Sequence, residues 1–509
     1  MRSFNLSRRS FLGGAVALTA GCRTFGTSQK VRLAAVGVMG KGFTDWLPMV
    51  KSGLAELVAL CDCDYRTREE AQARLAQQGV DLDLCRIPFY TDYRRLLDDA
   101  GILGVDAMTV STPDHVHAPV AIRAMREGIH VYVQKPLVRT LWELELFERM
   151  ARENGVITQM GNQSSSLDGF RRGVEILQSG LIGDVKEVVV WTNRPVWTQG
   201  LVAAKASAGA PDPIPDGLNW DAWLATAKAR FYKGPYPPSI TRYDPWNITD
   251  KVYHPFSWRG FYDFGCGALG DMACHQTNLP FRGLELGRLE SVECTYIEEH
   301  NNVTFPMKST VRMTYAERKS CFRSGVRLPR VDLWWNEGNL KPSAERLPEI
   351  VAALGKIPDN GCAVFGSKGL LCSITAQGAT NLLAMKGEKK ARPVETHEAC
   401  RAVSQMLPRR LESDASVAKG PGAPAVSADG HYVEFLNAIR GDGPVFVQTH
   451  SRCYSDIEFS VPNMEGILAG VIAQRLGGGE LRWDPVGRTF GNAAADALMR
   501  PYVRTGFEF

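Results

Sequence analysis

The sequence predicts an α/β protein: an N-terminal doubly wound parallel sheet, then a C-terminal α+β region built on a large, mostly antiparallel open sheet. Short apolar runs alternate with helical periods from residue 31 to about residue 160, the pattern of a sheet covered on both faces. A glycine-rich turn directly follows the first run. Beyond Gly161 the runs lengthen, alternate in polarity and carry charge, which suits a sheet with one covered face. With 509 residues, 44% hydrophobic and 22% charged, the chain can fill two ordinary globular cores.

The first segment reads as a leader. Ser7-Arg8-Arg9-Ser10-Phe11-Leu12 precedes an apolar run from Phe11 to Ala20, too short to span a bilayer comfortably. The paired arginines point to twin-arginine export to the periplasm; the plainer alternative is a basic amphipathic N-terminus. Ala20-Gly21-Cys22 resembles the end of a lipoprotein cleavage box, which would acylate Cys22, but Thr19 stands where that box usually has Leu. Anchored and unanchored forms both stay open. The net charge of +4 is small, and Arg2, Arg8, Arg9 and Arg23 meet no acidic residue before Asp45, so no nucleic-acid partner is expected. The 12 cysteines contain no C-x-x-C pair, and Cys61 and Cys63 would point to opposite faces of a strand. Because twin-arginine substrates fold before export, these thiols read as mostly buried and reduced.

The parallel region reads as strands Val31–Val36, Leu57–Leu60, Ala107–Val110, Val131–Val133 and Val156–Thr158. Helices run over Ala118–Glu127 and Leu141–Glu153, ended by Gly128 and Gly155. Val185–Trp191, Leu289–Tyr296 and Ser309–Tyr315 are the longer strands of the second region. Pro195 to Pro255 is rich in Pro, Gly, Trp and Tyr, the texture of a lid or binding loop. The tail from His431 adds two helices and closes with Trp483, Tyr502 and Phe507 as core and docking contacts.

After the first strand comes Gly37-Val38-Met39-Gly40-Lys41-Gly42. In a dinucleotide fingerprint, glycines permit a tight turn, close backbone approach to the pyrophosphate and tight helix packing. Gly37 and Gly42 fit the first and third positions; Met39 replaces the second, with Gly40 the nearest substitute. The second strand ends in Cys61-Asp62-Cys63-Asp64, where the ribose ligand of a Rossmann fold belongs. A carboxylate at Asp62 favours NAD over NADP, although Arg66 nearby could accommodate a 2′-phosphate. Ser111-Thr112-Pro113-Asp114-His115-Val116-His117 and Val133-Gln134-Lys135-Pro136-Leu137 reach the same carboxyl edge of the sheet, where ligands bind. There Lys135 could face the nicotinamide, and burial would lower its pKa toward proton transfer. The domains expected are therefore 1–29, the signal; 30–160, the NAD-binding domain; and 161–509, the substrate and oligomerisation domain.

The densest segment runs from Tyr253 to His275. Gly270 leads into a helix on which Asp271 and His275 lie four apart and share a face, so the carboxylate could orient an imidazole that exchanges a proton with a hydroxyl. A surface ion pair or a cap would give the same spacing. His254, His275 and Asp271 also suggest a metal, but no further ligand stands at motif spacing, and no metal is expected.

With Ser111-Thr112-Pro113 and its histidines, the lysine-proline pair, Gln159-Met160-Gly161-Asn162-Gln163 and the Asp271/His275 motif, nearly all of the chain after the leader resembles the Gfo/Idh/MocA oxidoreductases. The resemblance implies that Lys135, Asp271 and His275 are catalytic. It implies cofactor contacts from Ser111, Thr112, Pro113, His115, His117, Gln134, Lys135 and Asn162. Gln134 stands where the family has a glutamate; an amide keeps a hydrogen bond but loses the charge. The resemblance also implies a pocket lined by Gln163, Trp191, Asn193, Arg194, Tyr253, His254, Arg259 and Tyr262, whose aromatic faces and polar groups suit a carbohydrate. A dimer or tetramer built through the open sheet face is expected. Three functions stay open. The first is a sugar or glycoside oxidoreductase with a retained, internally recycled NAD, since export offers no obvious nicotinamide pool. The second is an NAD-dependent glycoside hydrolase using transient oxidation, elimination and re-reduction, with His254, Asp263 or Tyr253 as the extra acid or base. The third is a sugar-binding protein with a degenerate site, suggested by Met39 and Gln134.

Overall fold

A computed structural model of the chain describes residues 29–234, 252–254, 256–409 and 429–509. The expected export signal, with Arg8, Arg9 and Cys22, and part of the Pro195–Pro255 loop lie outside the described residues.

The first layer structure alternates β1 (Val31–Val36), α1 (Lys41–Lys51), β2 (Ala55–Cys61), α2 (Thr67–Gln77), β3 (Phe89–Tyr90), α3 (Tyr93–Leu103), β4 (Ala107–Val110), α4 (Asp114–Arg126), β5 (His130–Gln134), α5 (Leu141–Glu153) and β6 (Thr158–Gly161). The strands are all parallel and stand in the order β3-β2-β1-β4-β5-β6. The four residues of β4 are buried without exception, as strands covered on both faces must be. From β1 the chain winds one way to β3, then restarts at β4 on the other side. Ligands of such sheets bind in the crevice left at that switch point.

Local chemistry sets several boundaries. Thr140 and Glu143 form a reciprocal capping box that starts α5 where the sequence predicts. Helix α4 begins at Asp114, four residues before the predicted start, because Pro113 is extended and the Asp114 carboxyl favours a helix N-terminus. Strand β6 begins at Thr158 rather than Val156, because the Val156 N–H bonds back to Ala151 O and so belongs to the end of α5.

The second region comprises α6 (Asp168–Gln178), β7 (Val185–Trp191), α7 (Gly200–Ser207), α8 (Trp220–Leu224), α9 (Gly267–Gln276), α10 (Asn278–Gly283), β8 (Leu289–Glu298), β9 (Lys308–Tyr315), β10 (Arg318–Lys319), β11 (Arg327–Leu328), β12 (Val331–Glu337), α11 (Pro348–Leu354), β13 (Gly361–Gly366), β14 (Gly369–Ser373), β15 (Asn381–Met385), β16 (Arg392–Pro393), α12 (Asp429–Ile439), α13 (Ile457–Leu476), β17 (Gly479–Arg482) and α14 (Ala493–Met499). Among the described residues nine strands form one sheet in the order β16-β15-β14-β13-β7-β12-β9-β8-β17, and only β7 and β12 pair in parallel. The fold is therefore the expected one. Strand β12 shows its logic: Val331, Leu333, Trp335 and Glu337 are buried while Asp332, Trp334 and Asn336 are half-buried.

Helix α13 is buried for most of its length and packs on β8, β9, α5 and α9, joining the sheet to the first region. Among the described residues no helix is long and apolar enough to cross a membrane. Trp483 and Phe507 are buried, as expected of docking contacts, whereas Tyr502 is 53% exposed and has no core role. The eleven described cysteines are all free, and most are buried.

Candidate active site

The switch-point crevice opens into a cavity of about 870 Å³. Its floor is the glycine turn. Gly37 has φ +88°, and a Cβ there would fall 2.3 Å from Ser111 O; a Cβ on Gly42 would fall 1.9 Å from Gly37 O. These two glycines serve backbone packing, and Gly42 does not line the cavity. Gly40 does line it, and nothing lies within 4 Å of where its Cβ would be, so a ligand can approach the backbone there. Met39 lies beside it. The N-terminus of α1 has no side-chain cap, which leaves first-turn N–H groups other than that of Gly42, bonded to Met39 O at 3.1 Å, for an anion. The cradle therefore fits a dinucleotide pyrophosphate.

Asp62 stands at the ribose position. Its Oδ2 accepts from the Val38 N–H at 2.9 Å and its Oδ1 from the Asp64 N–H at 3.1 Å. Burial pushes its carboxyl up to about 6, in spite of those two donors. Arg66 is engaged by Asp64 through Nε at 3.0 Å and Nη2 at 2.8 Å, an arrangement that favours NAD over NADP. The ionised Asp62 is the form that accepts from ribose hydroxyls. NAD affinity should therefore be level above about pH 7 and fall below about pH 6 as the carboxylate takes a proton. Calorimetric titration should show that Asp62→Asn removes this acid limb and weakens NAD more than NADP; an unchanged preference contradicts the ribose assignment.

Ser111, Thr112, Pro113, Gln134, Lys135 and Gln163 also line the cavity. His115, His117 and Asn162 do not, which corrects the expectation that they touch the cofactor. The early start of α4 turns both histidines inward. His115 Nε2 bonds Trp223 O at 2.9 Å, and burial pushes the imidazole down to about 3. His117 bonds Pro136 O at 2.7 Å and Thr112 O at 3.0 Å, and burial pushes it down to about 4. These rings brace the loops from within. Asn162 is fully buried, and neither of its amide atoms has a partner among the described residues.

Lys135, Asp271 and His275 meet in the cavity. Lys135 Nζ donates to Asp271 Oδ1 at 2.7 Å and to Asp271 O at 2.8 Å, while Arg259 Nε donates to the same Oδ1 at 3.0 Å. Burial alone would raise the Asp271 carboxyl; the Lys135 ammonium and Arg259 guanidinium overcome it and hold the group below the usual carboxylate range. This corrects the expected pairing of Asp271 with His275. The carboxylate faces two cations, which bind it more strongly than an imidazole would, and His275 Nδ1 is buried without a partner among the described residues. Burial, reinforced by Lys135, pushes His275 down to about 3, so its ring is neutral at pH 7. The Arg259 guanidinium lies 3.9 Å from the Phe256 ring centre and 4.2 Å from that of Trp258, and Nη1 donates to Phe256 O.

Of the expected substrate residues, Gln163, Arg194, His254 and Arg259 line the cavity. The other four do not. Trp191 is wholly buried in β7 and donates to Pro358 O. Asn193 accepts from Arg194 through its Oδ1. Tyr253 packs among Trp220, Phe261 and Phe264, and Tyr262 packs on Phe305 at 4.6 Å. Asp263 is paired with Arg230 and does not line the cavity.

The structure adds residues that sequence reasoning missed. Trp223, Phe256 and Trp258 form aromatic wall, and Asp114 reaches the cavity from the first turn of α4. Asp114 Oδ2 accepts from the Cys266 N–H at 3.1 Å, and burial pushes its carboxyl up to about 7. Its place in the strand-end loop was the available signal, hidden by the later helix start. Among the described residues no group of three or more His, Cys, Asp or Glu is placed to hold a metal.

Residues 31–162 match the family described as "Oxidoreductase family, NAD-binding Rossmann fold", GFO_IDH_MocA. The six-stranded sheet is thus an NAD-binding Rossmann fold. A glycosyl hydrolase family 109 protein of Akkermansia muciniphila is 29% identical over 167 residues, 31% of this chain and 32% of that protein. A 2,7-anhydro-N-acetylneuraminate hydratase of Mediterraneibacter gnavus is 30% identical over 81 residues, 16% of this chain and 22% of that protein. The chain thus spans about a third or less of the length of these curated relatives. An inositol dehydrogenase homologue from Azotobacter vinelandii, solved with NADH and myo-inositol, superposes with a TM-score of 0.54 at 17% identity, covering 90% of this chain and 98% of that one. WlbA dehydrogenase from Bordetella pertussis, solved with NADH and UDP-GlcNAcA, gives 0.53 at 16% identity, covering 90% and 99%. At these identities the likeness is one of fold.

Proposed function

We propose that the protein is an NAD-dependent enzyme acting on a hydroxyl of a sugar or glycoside. One observation carries this reading: the Lys135–Asp271–Arg259 cluster and His275 line the same cavity as the glycine cradle and Asp62. NAD, when bound, supplies hydride acceptance and return. The residues of the chain supply the rest. Lys135 stabilises the developing alkoxide, His275 takes the hydroxyl proton, and Asp271 fixes Lys135 and Arg259 against each other. Trp223, Phe256 and Trp258 offer apolar faces to a sugar ring, and Arg259 offers donors to its hydroxyls.

A redox-neutral glycoside hydrolase is the second reading. It is supported by the glycosyl hydrolase family 109 relatives and by His254 and Asp114, two proton-exchanging groups in the cavity beyond those that oxidation needs. As part of the proposal, the protein is exported by the twin-arginine route to the periplasm, with or without an acyl anchor on Cys22, and assembles as a dimer or tetramer. NAD is then retained and regenerated in place.

Incubation of the purified protein with oligosaccharides and aryl glycosides, followed by product masses, separates the readings. Loss of two hydrogens identifies oxidation, and bond cleavage without net oxidation identifies hydrolysis. Neither change across a broad panel contradicts both.

A further inference from the structure

Asp45 belongs to none of the motifs, yet five side chains engage its carboxylate beside the cavity. Its side chain is completely buried on α1. Oδ2 accepts from Ser111 Oγ at 2.7 Å and from Gln134 Nε2 at 2.9 Å. Oδ1 accepts from the Tyr432 hydroxyl at 2.7 Å and Gln163 Nε2 at 3.4 Å, and pairs with the Lys41 ammonium at 2.8 Å. These partners come from five separate segments: the start of α1, the loop after β4, the end of β5, the turn after β6, and α12. Four of them, Lys41, Ser111, Gln134 and Gln163, line the cavity.

A carboxylate removed from water is unfavourable unless hydrogen bonds and opposite charge compensate it. Here one partner is a cation, and its side chain is 44% exposed at the start of α1, next to the uncapped helix terminus. The other four are neutral donors that a single anion draws to one point. Gln134 continues the line, since its Oε1 accepts from the Lys135 N–H at 3.4 Å.

We propose that Asp45 is a positioning residue: its buried charge gathers Ser111, Gln134, Gln163 and Lys41 into the shape that receives the dinucleotide, and through Gln134 it fixes the turn that carries Lys135. This rests on the NAD-dependent reading above. The Gln134–Asp45 contact makes it testable, because donor and acceptor can be exchanged across 2.9 Å without changing the number of charges.

NAD is titrated calorimetrically into the full chain and into Asp45→Asn, Gln134→Glu and the double variant. Asp45→Asn should bind NAD about tenfold or more weakly, as expected for loss of charge-assisted hydrogen bonds. Gln134→Glu should lose at least as much, because it sets two carboxylates against each other. The double variant should return to within about threefold of the parent, since the introduced amide now donates to the introduced carboxylate. A residue that merely fills the core gives no such rescue. The proposal is overturned if Asp45→Asn binds NAD like the parent, or if the double variant binds no better than the weaker single one. Should Asp45→Asn not fold, Gln134→Glu decides alone, and parent-like affinity overturns the proposal. A parent that binds no NAD overturns the functional reading as well, whereas a binding parent with unaffected variants overturns only this inference.

Discussion

Asp271→Ala is expected to destabilise the protein by about 3–5 kcal/mol and to abolish most turnover, because it leaves the Lys135 ammonium and Arg259 guanidinium facing each other with no counter-charge. The lysine side chain is 15% exposed and the arginine 19%, so water replaces little of what the carboxylate supplies. Asp271→Asn should cost less, since its amide oxygen still accepts from Lys135. The pH dependence follows from the sign of the shift. The Asp271 carboxyl is held below its ordinary range in the folded chain, so its contribution to stability is complete above its unfolded pKa of about 4 and fades as the pH falls through the lower folded value. Thermal unfolding from neutral to acid pH should show the parent and Asp271→Ala converging at the acid end; a constant gap contradicts the ion-pair account.

Lys135→Met should reduce kcat by about 10²–10⁴-fold while the chain stays folded and retains NAD. Methionine keeps most of the apolar stem, and Asp271 keeps the Arg259 guanidinium at 3.0 Å, so the loss falls on the alkoxide-stabilising charge rather than on the architecture. Steady-state kinetics with calorimetric NAD binding separates the two effects. Equal losses in turnover and NAD affinity would make Lys135 a cofactor ligand rather than a catalytic group.

What was legible in the sequence is what short-range chemistry determines. The glycine turn, the Asp62 strand end and the lysine-proline turn are local patterns whose geometry follows from neighbouring residues, and they mark the carboxyl edge of the Rossmann sheet. The partners of Asp271 were not legible. Spacing on α9 pointed to His275, four residues away, while the strongest donor was Lys135, 136 positions earlier in the chain. Asp45 was missed for the same reason, since an aspartate on an amphipathic helix reads as a surface position until the fold surrounds it. Trp191 and Trp258 look alike as residues, but only the tertiary arrangement puts one inside the large sheet and the other beside the cavity. His115 and His117 were misplaced by one helical turn, the distance by which α4 starts early.

In the proposed function the switch-point cavity holds NAD with its reacting end at Lys135 and His275. The most direct measurement is calorimetric titration of NAD into the purified chain freed of any bound nucleotide, paired with mass identification of whatever small molecule denaturation first releases. The structure predicts one dinucleotide per chain, either released on denaturation or bound on titration, with affinity lost in Asp62→Asn. A protein that releases no dinucleotide and binds neither NAD nor NADP would contradict the account.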